Sequence, residues 1–579
     1  MAEAEIREII HKLALLNAVN YNGKAQPGPV IGKLLAEKPE LRARVKEIGP
    51  LVAEIIREVN GFSPEEQRKI VEKNWPELLV KEKVEEQKHL PKLPNVDRYE
   101  RIVTRFSPNP DCAIHLGSAR AIMLCSEYAK IYKGTFILRF EDTDPRLKRS
   151  ALMFYDMIRE DLVWLDCKPD REYIQSDRIP IYYEYTEKLL KDGNAYVCTC
   201  KPEAFRKKQL KNKPCPDRNL QPEEHLARWR MMLDGTFKEG EAVVRVKTDL
   251  NHPNPAVRDW PASRIIDPEK HPHPRVGNKY RVWPLYNLAA GLDDHLMGIS
   301  HIIRGKEHLT NQVRQEFMYH HLGWKYPDTI HYGRMKITGT FLSKSKILAA
   351  MREGKFKSWD DPRLATFAAL RRRGIQPDAI KRMIIDVGPK TQDVTLSWDN
   401  IYAYNRKIID PNANRYFFVR DPIKLTVKDV PHGFTAKLPL HPDHPERGIR
   451  EITVKPENGK AAFNVSSTDS GLFKKDATIR LMELFNIKVS KKGKKGIDAV
   501  FHSQSYEDAR KLSASLIHWL PLNMGVSCEV VMPDASSAKG VAENESRKLH
   551  EDAVVQFERF GFVRIDSVGK TIVAYFAHR

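Results

Sequence analysis

RFSPNPDCAIHLGSAR, residues 105–120, decides the fold, and FILRFEDTDP, residues 136–145, completes it. RIVTRF, residues 101–106, has the short apolar character of a buried strand. A loop broken by Pro108 and Pro110 follows, and then a helical stretch, ARAIMLCSEYAKIYKG, residues 119–134. GTFILRF is a second strand and ends in the acidic turn Glu141-Asp142-Thr143-Asp144-Pro145. Strand, helix and strand in about 40 residues make a parallel α/β unit, whose binding groups belong at the strand ends.

Helical patterns continue over Met153–Leu165 and Ile181–Lys191. Beyond Lys390 the pattern changes to short β runs such as RYFFV, IKLTV, REITV, CEVVM and TIVAYF, separated by Pro, Gly and Asp. In the other direction, residues 1 to 80 read as helical. Ile6, Ile9, Ile10, Leu13 and Leu16 recur at helical spacing, as do Leu51, Ile55, Ile56 and Val59. Asn60-Gly61 is a stop, and Ser63 through Glu66 is a start with Ser63 as cap and Glu66 at the capping-box position. Gly23 to Pro29 reads as a basic, glycine-rich hinge, either a simple turn or an RNA contact. The charged stretch 81–100, broken by Pro91 and Pro94, reads as a linker.

The chain has 579 residues, enough for about three to five domains. No run of about 18 apolar residues occurs, which excludes a transmembrane helix by hydropathy. The start, MAEAEIREII, is acidic and does not read as a signal peptide. Seven scattered cysteines are too few for a disulfide framework. The expectation is a large multidomain cytoplasmic protein with no membrane partner. Its formal net charge of +20 favours a polyanion as partner, since phosphate neutralisation releases counterions.

No G-x-x-x-x-G-K-[ST] loop is present, so a Walker-type nucleotide site is not expected. His115-Leu116-Gly117-Ser118 between a strand and a helix offers another phosphate cradle. Two small residues let a nucleotide approach the backbone, and the helix N-terminus presents free amides. Phe341-Leu342-Ser343-Lys344-Ser345-Lys346 is a second element, because a lysine in a serine-rich loop can neutralise charge on a transferring phosphate. A third is Glu141 at a strand end with Arg105 on the preceding strand: one carboxylate for an ammonium, one guanidinium for a carboxylate. Together those two suit an amino acid.

These blocks, followed by LYNLAAGLDDHLMGISHIIRGKEH (285–308) and RMKITGTFLSKSK (334–346), closely resemble the class I glutamyl- and glutaminyl-tRNA synthetases. HLGS resembles the family's HIGH signature and FLSKS its KMSKS signature. The resemblance runs on through WDDPRLATFAALRRRGIQP, NRKIIDPNANRYF, PLHPDHPERGIREI and FERFGFVRID, and is to the archaeal glutamyl and the glutaminyl branch, whose anticodon-binding part is β-barrel, rather than to the bacterial glutamyl branch. It implies a multidomain α/β plus β architecture with a Rossmann-type nucleotide-binding core. The expected domains are a helical N-terminal domain and linker at 1–95, core halves at 96–196 and 281–330, and an inserted acceptor-stem domain at 197–280. A KMSKS-like loop with a helical connecting domain at 331–405 and β-barrels at 406–579 complete the chain.

The resemblance also implies site residues. His115 and Lys344 are expected to be catalytic, stabilising the transferring phosphate of ATP. Pro108, Gly117, Ser118, Ser343 and Ser345 complete the ATP site, with Mg2+ on the phosphates. Phe341 replaces the first lysine of the signature, which throws more work onto Lys344 and Lys346. Arg105, Ser107, Asn109, Glu141, Tyr286 and Arg304 are expected to hold the amino acid. Arg304 resembles glutamyl enzymes, and two arginines match the two carboxylates of L-glutamate, whereas glutamine would leave one guanidinium without a charge partner. Ala290 departs from the pocket asparagine of bacterial members. Cys198, Cys200 and Cys215 are a candidate zinc site, with Asp217 or His225 as fourth ligand. Lys491 to Lys495 is a candidate RNA contact. The implied activity is ATP-dependent charging of tRNA(Glu), with tRNA(Gln) as a further substrate in non-discriminating members that feed an amidotransferase. The alternatives are a glutaminyl-tRNA synthetase and a non-catalytic tRNA-binding paralogue.

Overall fold

A computed structural model of the chain describes residues 3–20, 23–75, 89–339, 344–493 and 496–579. They divide into two compact units, residues 1–88 and 89–579. In the first, four helices, α1 (Glu3–Asn20), α2 (Pro27–Glu37), α3 (Val45–Gly61) and α4 (Pro64–Asn74), enclose Ile10, Ala14, Val30, Leu34, Val52, Val59 and Val71. Ser63 and Glu66 form the capping box at the start of α4. The hinge is shorter than its sequence suggests. Pro27 and Pro29 lie in the first turn of α2, where proline's fixed φ suits the helix and its missing N–H costs no hydrogen bond.

The second unit begins within the stretch read as linker. Pro91 O accepts from the Tyr128 hydroxyl at 2.9 Å, Leu93 N donates to the Tyr132 hydroxyl at 3.0 Å, and Leu93 is buried. Then come β1 (Val103–Phe106), α5 (Ala119–Ile131), β2 (Thr135–Phe140), α6 (Leu152–Trp164), β3 (Arg171–Ile174) and α7 (Ile179–Lys191). The three strands pair in parallel, in the order β1-β2-β3. An antiparallel sheet of β4 (Ala195–Cys198), β5 (Val243–Val246), β6 (Pro261–Ile265) and β7 (Val282–Pro284) follows, with α8 (Pro202–Leu210) and α9 (Pro222–Leu233) between β4 and β5. The chain returns through α10 (Tyr286–Leu296), β8 (His301–Gly305), α11 (Leu309–Leu322) and β9 (Asp328–Tyr332).

β8 and β9 are parallel, and Ser300 joins them to β1: its N–H donates to Val103 O at 3.0 Å and its hydroxyl accepts from Val103 N at 2.8 Å. The spatial order is therefore β3-β2-β1-β8-β9, with the reversal of winding between β1 and β8. In open α/β sheets that crevice is the ligand site. Next are β10 (Met335–Ile337), α12 (Lys344–Arg352), α13 (Phe367–Arg372), α14 (Pro377–Val387), β11 (Val394–Leu396) and α15 (Trp398–Ile409). Leu124, Leu138, Phe140, Phe367, Leu370 and Ile384 share one fully buried core, so α13 and α14 pack on the parallel sheet.

From Arg415 the chain is mostly β. One seven-stranded sheet has Ser515–Ile517 and Trp519–Pro521 as its edges, with only His518 between them in the chain. The other has Arg415–Tyr416 and Phe418–Arg420 as its edges, with only Phe417 between. Edges so close in the chain force each sheet to curl round on itself, which makes both barrel-like. Among the described residues no helix is long and apolar enough to cross a membrane.

Candidate active site

The two strands that flank the reversal and the next one out each carry, at or just past their end, a residue singled out by the sequence: Arg105 on β1, Arg304 on β8 and Glu141 after β2. Asp294 of α10, which sequence reading missed, ties two arginines together. Arg105 Nε and Nη2 donate to its two oxygens at 3.0 and 3.2 Å, and Arg139 Nη1 donates to Oδ1 at 2.7 Å. Burial alone would raise the Asp294 carboxyl, but the charges and hydrogen bonds of Arg105 and Arg139 hold it at about 2. Arg139 also donates to Glu141 Oε1 at 3.0 Å. Burial outweighs that contact and pushes the Glu141 carboxyl above its ordinary range. The signal for Arg139 is its place inside an otherwise apolar strand, because a buried charge is costly unless it is paired or hydrogen-bonded.

Arg304 stands apart. It is 5% exposed, and its partners are neutral: Nη1 donates to Gln315 Oε1 at 3.2 Å and Nη2 to the Tyr326 hydroxyl at 2.9 Å. Its Nε has no hydrogen-bond partner. Tyr286 opens α10, and the charges of Glu141, Arg304 and Arg105 all act on its phenol, whose pKa is raised chiefly by burial. His308 and His331 beside Arg304 are pushed down to about 4, first by burial and then by the Arg304 charge. Both are neutral at pH 7. Ser107 Oγ and Asn109 Oδ1 are buried without partners, and Pro108 O between them accepts from Glu141 N at 2.9 Å. Buried polar atoms left open in this way suit a ligand.

His115 precedes the turn Leu116–Ser118 that leads into α5, and its Nδ1 accepts from Gly117 N at 3.0 Å. That bond fixes the proton on Nε2, and burial lowers the ring's pKa, so a neutral imidazole presents one donor. A Cβ on Gly117 would lie 2.6 Å from His115 Cε1, which explains the glycine. His115 and Thr366 also form an antiparallel backbone bridge, with Leu116 N donating to Ala365 O at 2.8 Å. Arg120, also missed from sequence, donates to the carbonyls of Gly333, Gly388 and Lys390 at 2.6–2.8 Å, tying α5 to the segments flanking β10 and β11. Phe341, Leu342 and Ser343 lie outside the described residues, as do Lys494 and Lys495. Lys344, Ser345 and Lys346 form the backbone of the first turn of α12.

A second cluster joins β4 to the turn at 216–219. Cys215 Sγ lies 3.4 Å from Cys198 Sγ and 3.3 Å from Cys200 Sγ, and Asp217 Oδ2 is 3.6 Å from Cys215 Sγ. All four donor atoms fall within 4.8 Å of one another. Tetrahedral thiolate zinc requires S···S separations of about 3.8 Å, so the cluster fits that ion with small adjustments. His225 is not in the cluster; its Nδ1 accepts from Val197 N at 3.3 Å.

Comparison with known proteins gives this architecture a family. Residues 101–411 match the tRNA synthetases class I (E and Q) catalytic domain, and 413–502 and 516–566 match the family's two anticodon-binding domains. The chain belongs to the class I tRNA synthetases of the E and Q type. Among its relatives are three proteins named glutamate–tRNA ligase. Those of Thermococcus kodakarensis and Pyrococcus abyssi are each 53% identical over 99% of this chain and 100% of their own length. That of Pyrococcus furiosus is 52% identical over the same shares.

Proposed function

We propose that the chain is a glutamate–tRNA ligase that activates L-glutamate with ATP and transfers it to the 3′ end of tRNA(Glu). The observation that carries this reading is Arg304, a buried guanidinium among neutral partners with Nε free. A buried cation without a counter-ion is costly, and a ligand carboxylate relieves it. Glutamate supplies a side-chain carboxylate where glutamine offers an amide, so the charge at Arg304 discriminates between them.

In the first step the α-carboxylate of glutamate attacks the α-phosphorus of ATP, and pyrophosphate leaves. Glu141 holds the α-ammonium, Tyr286 and Arg105 line the amino acid, and Ser107 and Asn109 supply polar atoms beside it. His115 Nε2 donates to a phosphate oxygen, Lys344 neutralises phosphate charge, Gly117, Ser118 and Pro108 border the nucleotide, and Ser343 and Ser345 complete the ATP site. ATP arrives as its magnesium complex, which neutralises phosphate charge, so the protein's part is positioning and electrostatics. In the second step the terminal ribose hydroxyl of tRNA attacks the acyl carbon and releases AMP. The work belongs in the cytoplasm.

Cys198, Cys200, Cys215 and Asp217 would hold a structural zinc that joins β4 to the 216–219 turn. Metal analysis of unchelated protein should give about one equivalent of zinc, and a value far below that removes the site.

The test of the activity is aminoacylation with labelled glutamate or glutamine on purified tRNA(Glu) and tRNA(Gln). Glutamate on tRNA(Glu) supports the reading, and glutamate on both tRNAs adds a non-discriminating enzyme that feeds an amidotransferase. Glutamine on tRNA(Gln) overturns it in favour of a glutaminyl enzyme, and tRNA binding without ATP consumption in favour of a non-catalytic paralogue.

A further inference from the structure

Four arginines crowd the inner ends of the sheet, and three of them are neutralised. Arg105 is bidentate to Asp294, Arg139 shares Asp294 and Glu141, and Arg178 Nε donates to Asp293 Oδ1 at 2.8 Å. Among the described residues Arg304 has no carboxylate within ion-pair distance. In place of one, two uncharged groups hold its two terminal nitrogens. Gln315 Oε1 takes Nη1, the Tyr326 hydroxyl takes Nη2, and Tyr326 donates its own proton to Gln315 Oε1 at 2.7 Å, closing a three-membered ring of hydrogen bonds.

The scaffold fixes both groups. Gln315 is fully buried on α11 and lies against α10 at Gly291, where a Cβ would come 3.3 Å from Gln315 Cγ and 2.5 Å from Met318 Cε. Its amide nitrogen points to Asn287 O at 3.5 Å, which turns Oε1 towards Arg304 and Tyr326. Tyr326 sits edge-on to Tyr319 with ring centroids 4.8 Å apart. A glutamate in place of Gln315 is close to isosteric and would orient Arg304 equally well. It would also cancel its charge.

We infer that Gln315 and Tyr326 are positioning residues that set amino-acid specificity: they hold Arg304 in place with neutral acceptors so that its positive charge is reserved for the side-chain carboxylate of the substrate. The inference rests on the proposed function and deepens it. Orientation and neutralisation are separate demands on a buried guanidinium, and a neutral clamp meets the first without the second. A carboxylate entering on the Nε side meets a full charge already aligned, which lowers the reorganisation needed on binding.

The test is tRNA-dependent ATP–pyrophosphate exchange with glutamate and with glutamine, giving KM and kcat for wild type, Gln315→Glu, Gln315→Met and Tyr326→Phe. With Gln315→Glu, the glutamate KM should rise about 10-fold or more while kcat changes less than about threefold, and glutamine parameters should stay near wild type. Gln315→Met and Tyr326→Phe loosen the clamp without cancelling the charge, so their glutamate KM should rise less than that of Gln315→Glu. Equal losses for both amino acids in Gln315→Glu, or an unchanged glutamate KM, overturn the inference. Should Gln315→Glu fail to fold, Tyr326→Phe decides: it removes one oxygen, and a glutamate KM within about 1.5-fold of wild type is then the contrary result. Wild type that prefers glutamine would instead overturn the proposed function, so the two failures are distinguishable.

Discussion

Arg105 and Asp294 are joined by two parallel hydrogen bonds, from Nε at 3.0 Å and Nη2 at 3.2 Å, and both residues are buried. The pair spans β1 and α10, which lie on either side of the antiparallel β4–β7 sheet in the chain. Because Arg139 leans on the same carboxylate, Asp294 supports two cations at once.

Asp294→Asn leaves two buried guanidinium groups short of a counter-charge. It should destabilise the second unit by about 3–5 kcal/mol in chemical denaturation. The same geometry sets an acid limit. The Asp294 carboxyl lies at about 2 when folded, below the ordinary value of about 3.9. Its contribution is therefore complete above pH about 4 and lost as pH falls towards 2. A variant as stable as wild type at pH 7 would remove the structural role.

Asp161 behaves in the opposite sense. It is buried on α6, and burial raises its pKa to about 7, with Arg371 opposing and Glu160 adding to the rise. A raised carboxyl favours the folded state while protonated, so this contribution is present below pH about 4 and lost as pH rises through about 7. Asp161→Asn keeps the neutral form at every pH. Its melting temperature should exceed that of wild type at pH 8 and match it more closely at pH 5, and an equal offset at both would contradict the assignment.

Gly117→Ala places a methyl group 2.6 Å from His115 Cε1 and 2.8 Å from Nδ1, so the imidazole must move and its bond to Gly117 N must break. Adenylate formation should slow by about 10-fold or more, with the glutamate KM changed little, because the proposed function puts the displaced group on the phosphate side. Pyrophosphate exchange measures both. A loss confined to the glutamate KM would place His115 elsewhere in the mechanism.

Much of this was legible in the sequence because local signals and chemistry coincide. A strand, a turn rich in small residues and a helix mark out His115 and Gly117, and charged residues at strand ends mark out Arg105 and Glu141. The short apolar runs after Lys390 mark the curled sheets. What escaped depends on pairing across the fold. Asp294 is one of two adjacent aspartates on a helix, and nothing local says that Asp294 serves Arg105 and Arg139 while Asp293 serves Arg178. Arg120 looks like an ordinary helix residue until the carbonyls of Gly333, Gly388 and Lys390 are brought to it by chain more than two hundred residues away. The choice of Asp217 over His225 beside the three sulfurs is set by the turn at 216–219, which spacing does not encode.

The most direct measurement compares kcat/KM for glutamate and glutamine in wild type and Arg304→Met. Removing the charge should cut kcat/KM for glutamate by about 10³-fold or more and leave glutamine unchanged or improved, so that discrimination collapses. Equal losses for the two amino acids would show that Arg304 does not read the side-chain carboxylate, and would contradict the account at its centre.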